Sequence, residues 1–268
     1  MVAPWRRPAD RDRPGSPTHE QEGTSIKARQ LQDPVSTQPS ARFALASMLV
    51  LTFSTGISDA VGYLGLDKVF TGNMTGNVVI LGMAVASADD LPVLGPLIAL
   101  AAFMAGAAIG GRVLRGAGAG WVPRATGLLL VVALTFAAGA GLAVMPVEAG
   151  SPLGHVLTAM LAAPMGLQAC VARHIGVKDV TTVVVTSTVT GLAADSWIAR
   201  RSGQPWVRRA VAIVAIGAGA GVGALLVRIG LWPGIAASAI IALAVGVSPL
   251  LQRAVNVRRA RRRPPETS

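Results

Sequence analysis

LPVLGPLIALAAFMAGAAIGG, residues 91–111, runs for 21 residues without a charge and is punctuated only by proline and glycine. A helix of about 20 residues, rising 1.5 Å per residue, crosses a hydrocarbon core roughly 30 Å thick, so this stretch reads as a membrane span. Seven further charge-free runs flank it, at 43–58, 69–88, 125–147, 149–172, 180–194, 210–227 and 229–252. They are continuously apolar and do not alternate as barrel strands do, and a backbone in hydrocarbon has to satisfy its own hydrogen bonds. The predicted fold class is therefore all-α, a polytopic transmembrane helical bundle. The run at 43–58 is long enough only if its helix carries Asp59 inside it and continues to about Leu66.

The composition agrees. Of 268 residues 52% are hydrophobic and 14% charged, against roughly 25% charged in a soluble domain. In a soluble protein the net charge of +11 would point to nucleic acid, but here the cations gather in the tails and short loops, and 4% aromatic residues supply no stacking platform. Nucleic acid is excluded as a partner. A single cysteine, Cys170, excludes an intramolecular disulfide and a cysteine zinc site. Residues 1–42, rich in Pro, Ser, Gln and Thr with seven cations and five acids, are expected to form a disordered basic tail, and the apolar run from Phe43 an uncleaved span. Residues 43–252 form the transmembrane domain, and 253–268 a polybasic tail with Arg253, Arg258, Arg259, Arg261, Arg262 and Arg263. Such flanks set topology and attract anionic headgroups of the bilayer.

The domain repeats itself. Phe70-Thr71-Gly72-Asn73-Met74-Thr75-Gly76-Asn77 is answered 115 residues later by Val185-Thr186-Ser187-Thr188-Val189-Thr190-Gly191-Leu192. Upstream, Gly56-Ile57-Ser58-Asp59-Ala60 is answered by Gly166-Leu167-Gln168-Ala169-Cys170; downstream, Gly106 and Gly110 are answered by Gly217, Gly219, Gly221 and Gly223. Trp121 before Pro123 corresponds to Trp232 before Pro233, and both tryptophans read as interfacial anchors. Two homologous halves of four hydrophobic segments, about 44–147 and 152–252, account for this order, and internal duplication is the usual construction of secondary transporters.

Cation placement tests the orientation of the halves. Eight complete spans from a cytoplasmic N-terminus put 17 of the 24 cations inside. If the segments after Lys68 and Asp179 are broken or re-entrant, six helices cross, 22 cations lie inside, and only Lys68 and Arg228 lie outside. The six-span arrangement makes the halves inverted relative to one another; both arrangements place the N- and C-termini in the cytoplasm.

Gly56-x-x-Asp59-Ala60, Val69-Phe70-Thr71-x-Asn73-Met74-Thr75-Gly76-Asn77, Met165-Gly166-x-Gln168 and Asp179-Val180-x-Thr182-x-x-x-Thr186-x-Thr188-x-Thr190-Gly191-Leu192-Ala193-x-Asp195 together resemble the YoaK family, also called domain of unknown function 1275, over about residues 44–250. The resemblance implies a multi-pass protein of the bacterial plasma (inner) membrane and carries no established activity. The family commonly has a polar pair where this chain has Gln168-Ala169.

Asp59 is the sharpest candidate for chemistry, because an acid inside a span costs roughly 2.5–3.5 kcal/mol on insertion scales and needs a partner or water. It reads as a coupling carboxylate facing a cavity, or as an interfacial acid near the helix end beside Tyr63, Asp67 and Lys68. The set Thr71, Asn73, Thr75 and Asn77, with Thr186, Thr188 and Thr190, is denser in hydroxyls and amides than a lipid-facing helix. Residues spaced by two do not share a helix face; Gly72 and Gly76 permit a broken stretch whose carbonyls and helix N-terminus can meet an ion or solute. The same groups also suit helix-to-helix fastening. Gln168 could hydrogen-bond a solute or Asp59, while Asp195 reads as a structural partner of Arg200 and Arg201. The glycine strips read as close helix contacts. His155, His174 and Cys170 stand without metal-ligand spacing or a general base, and no phosphate loop is present, so neither a cofactor nor an enzyme is expected. The expected function is a permease for a small solute or ion, with Asp59 as coupling group and Ser58, the Thr/Asn elements and Gln168 along the path. The alternative is a membrane scaffold or partner subunit, and the chain could form a homo-oligomer.

Overall fold

A computed structural model describes residues 39–86, 91–176, 189, 190, 193 and 206–262. Seven helices and no strand occur among them: α1 (Ala41–Gly65), α2 (Met74–Val85), α3 (Leu94–Leu114), α4 (Pro123–Leu142), α5 (Pro152–Ile175), α6 (Trp206–Val227) and α7 (Leu231–Arg262). Their ends follow local chemistry. The Ser40 hydroxyl accepts from the Phe43 N–H at 3.2 Å, Ser151 accepts from Gly154 at 3.1 Å, and Pro123 and Pro152 open α4 and α5 where no intrahelical N–H is needed. Gly176 closes α5 in the left-handed conformation, φ 68°.

Six helices are long and apolar enough to cross a membrane, α7 through Leu231–Gln252. α2 is not one of them. The run 69–88, one of eight potential spans by charge, is an irregular stretch followed by 12 helical residues, about 18 Å of helix against a core near 30 Å. α1 does carry Asp59 inside it and ends at Gly65, as its apolar run required. The second corresponding run, 180–194, lies outside the described residues except for 189, 190 and 193. The outward faces are apolar, with Leu134 69% and Ile240 66% exposed, as lipid-facing helices require.

Three of the helices long and apolar enough to cross a membrane, α1, α3 and α4, precede α5, and three, α5, α6 and α7, make up the second set. Their packing matches. α1 lies chiefly on α6 and then α7; α5 lies chiefly on α3 and then α4; α4 lies on α7. Exchanging α1 with α5, α3 with α6 and α4 with α7 returns the same arrangement. The glycines make the correspondence atomic: a Cβ on Gly56 would strike the Ile216 carbonyl and one on Gly166 the Phe103 carbonyl, while a Cβ on Gly106 would strike the Ala163 carbonyl and one on Gly219 that of Phe53. Gly110 and Gly223 sit a turn further along the same seams, against Cys170 and Ala60, whereas Gly217 and Gly221 have open space.

Between the pairs lies a core of Met48, Leu51, Leu129, Phe136, Leu157, Leu161, Met165 and Ile235. Trp121 joins this core instead of anchoring the interface as its boundary position suggested: it is 3% exposed, packs on Phe43 with ring centroids 5.4 Å apart, and donates from Nε1 to Thr126 Oγ1 at 2.9 Å. Its counterpart Trp232 is 45% exposed.

Candidate functional site

After Gly65 the chain turns through Lys68, which holds a left-handed φ of 49°, and doubles back along α1. The turn is readable as three rungs. The Val69 N–H donates to the Gly62 carbonyl at 3.3 Å, Ser58 Oγ and Thr71 Oγ1 lie 2.8 Å apart, and the Gly72 N–H donates to Asp59 Oδ1 at 2.6 Å. Asp59 stands six helical steps before Gly65, so the returning segment re-enters by about 9 Å before α2 begins. The close approach needs Gly62, where a Cβ would collide with the Val69 carbonyl.

Asp59 Oδ1 gathers three donors: the Gly72 N–H, the Asn73 N–H at 3.4 Å and the Thr71 hydroxyl at 3.2 Å. The carboxylate thus faces the positive end of α2 and satisfies N–H groups that the break would otherwise leave open. Asn73 adds its own cap, Oδ1 accepting from the Gly76 N–H at 3.3 Å. Asn77 then clamps the re-entrant segment to α2. Its Oδ1 accepts from the Phe70 N–H at 2.9 Å, and its Nδ2 donates to the Phe70 carbonyl at 2.6 Å. In place of widening the break, Gly76 lies in the first turn of α2 and admits the Phe70 ring, which stacks on Tyr63 at 5.0 Å.

Gly72 touches the other half of the molecule. A Cβ there would lie 2.9 Å from both Met165 Cε and Thr55 Cγ2 and 3.4 Å from Asp59 Oδ1. Beyond Thr55 stands Gln168, whose Nε2 donates to Thr55 Oγ1 at 3.2 Å and to the Leu51 carbonyl at 3.5 Å. Its Oε1 is buried without a partner among the described residues, as is Ser54 Oγ. The result is an enclosed polar seam of Ser54, Thr55, Ser58, Asp59, Thr71 and Gln168 between α1, the re-entrant segment and α5, in which every side chain is buried and Asp59 is the most accessible at 8% exposed.

The structure therefore brings Ser58, Asp59, Thr71 and Gln168 together and places Asn77 one step behind them. Gln168 reaches Thr55 and Leu51, with no bond to Asp59. Asn73 serves as the α2 cap with its side chain exposed, and Thr75 and Thr190 are exposed. Thr186, Thr188, Asp179 and Asp195, with Arg200 and Arg201, lie outside the described residues. Ser54 and Thr55 lie hidden within the charge-free run 43–58, although Thr55 stands one helical turn before Asp59 on the same face. Among the described residues no group of three or more His, Cys, Asp or Glu could hold a metal ion; His174 Nε2 lies 3.1 Å from the Gly118 carbonyl, and Cys170 packs on Gly110.

A family model described as "Protein of unknown function (DUF1275)" matches residues 47–248. The chain is 33% identical over 160 residues to the UPF0700 transmembrane protein YoaK of Bacillus subtilis (strain 168), an alignment covering 59% of this chain and 69% of that protein. No solved structure matches.

Proposed function

Because the chain belongs to the DUF1275 family, which assigns no activity, we propose from the site itself that it is a permease for a small solute or ion. Asp59 is the coupling group, and Ser58, Thr71 and Gln168 lie along the path. The observation that carries this reading is the bond from Asp59 to residues 71–73. A carboxylate that holds the N-terminus of a re-entrant half-helix gives the chain a latch whose strength depends on what else occupies the carboxylate. Binding of a proton or cation at Asp59 weakens its hold on the Gly72 N–H and frees the segment 66–73 to shift along α1. Inverted halves supply the second requirement, since exchanging the conformations of two such halves opens a central site to alternate sides.

The same reading orients the molecule. With both termini in the cytoplasm of a bacterium and α1 running outward, 22 of 24 cations lie on the inner side, and the polybasic end of α7 meets anionic headgroups.

The test uses the purified full chain in vesicles loaded with pyranine and challenged with imposed pH and potassium gradients in the presence of ammonium, acetate or neutral amino acids. Wild type is expected to carry an ion-linked flux that Asp59→Asn abolishes while its helicity and detergent melting remain. Equal flux in the variant removes the coupling role. Absence of flux in the wild type under every gradient leaves the scaffold, whose polar residues merely fasten helices.

A further inference from the structure

We infer that the seam at Asp59 is a binding site for one alkali-metal cation. The inference rests on reading the seam as a solute path, and it names what that path takes. Its basis is an inventory of donors and acceptors. Thr71 spends its proton on Asp59 Oδ1, so the 2.8 Å contact with Ser58 requires Ser58 to donate to Thr71 Oγ1. Thr55 spends its proton on the Leu51 carbonyl at 3.0 Å. The Gln168 amide faces two acceptors with Nε2, which fixes its orientation by the network. The Gly72 and Asn73 N–H groups are taken by Oδ1.

Apart from the Ser54 hydroxyl, only acceptors remain. Asp59 commits Oδ1 to its three donors, and Gln168 Oε1, on a fully buried side chain, has no partner among the described residues. The buried polar side chains among the described residues include no Lys, Arg or His. An ionised carboxylate here has neutral donors on one oxygen and no cationic side chain beside it among the described residues, and a charge without a counter-charge in low dielectric is costly. What the seam lacks is a positive group that accepts lone pairs from carboxylate, amide and hydroxyl oxygens, the donor set that hard cations take. With a single carboxylate the site balances one positive charge; a divalent ion would be left undercompensated.

The experiment is thermal unfolding of the full chain in detergent at constant ionic strength, with choline chloride replaced by lithium, sodium or potassium chloride, together with binding of radioactive sodium by scintillation proximity. One of the alkali cations is expected to raise the midpoint by about 3–6 °C at ten times its dissociation constant. The shift should vanish in Asp59→Asn and shrink in Gln168→Met, which leaves the Asp59 latch intact and so reports even if the first variant folds poorly. Identical melting in choline and in all three alkali chlorides, or an undiminished shift in both variants, overturns the inference. An Asp59-dependent proton flux with no alkali effect overturns it while the permease stands. An Asp59-dependent alkali shift without flux upholds it while the permease falls.

Discussion

Gly106 of α3 rests directly on the carbonyl of Ala163 of α5, with no room for a Cβ between them. The opposite half repeats the contact with Gly219 on Phe53, so the two interhelical seams are copies of one joint. In lipid, where apolar side chains gain little by leaving their surroundings, such close backbone contact is what holds helices together.

Glycines seated in the seams and glycines facing open space should therefore behave oppositely. Gly219→Val and Gly106→Val force α6 from α1 and α3 from α5, at roughly 1–3 kcal/mol each for overpacking. Gly217→Ala and Gly221→Ala, with open space at both sites, should stay within about 0.5 kcal/mol. Melting in detergent measures both pairs, and a destabilised Gly217→Ala would refute the facing assigned to α6.

The clamp of Asn77 on Phe70 separates geometry from composition in the Thr/Asn element. Asn77→Asp retains an acceptor for the Phe70 N–H but loses the donor to its carbonyl and buries a charge, so a loss of at least about 2 kcal/mol is expected. Thr75→Ala, on the exposed face two residues away, should be silent. Protease sensitivity of the 66–73 stretch and melting together read the difference; equal effects at 75 and 77 would contradict the clamp.

Trp121 offers a graded test of burial. Trp121→Phe keeps the ring packing on Phe43 and removes the hydrogen bond to Thr126, costing about 1 kcal/mol, while Trp121→Ala empties the site and costs about 3–5 kcal/mol. An interfacial anchor would show little dependence on the lost volume, so comparable melting of the two variants would return Trp121 to the membrane surface.

The six-span arrangement makes a topological prediction. With Cys170 replaced by alanine, cysteines introduced at Asp89 and Arg200 should react with impermeant maleimide from opposite sides of sealed vesicles. Eight complete spans would leave both on one side, and so labelling from one face alone would eliminate the six-span arrangement.

The charge-free runs, the helical class and the duplication are legible in the chain itself. Each rests on a local quantity: twenty apolar residues suffice to cross hydrocarbon whatever surrounds them, and a repeated motif needs no partner to be seen. The break near Gly72 is legible too, because four polar residues at spacing two cannot share one helical face.

Facing and partnership were decided only in three dimensions. Gly217 and Gly219 are equally glycine in the sequence, yet a step of two residues turns about 200° around a helix, and only Gly219 is turned inward. Asp59 reads alone as either a cavity acid or a surface one; the return of residues 69–73 along α1 selects its neighbours. Gln168 finds Thr55 across 113 residues of chain, a meeting set by the joint between the halves. Local hydrophobicity fixes where a helix lies in the bilayer, whereas its rotation about its own axis is a property of everything packed against it.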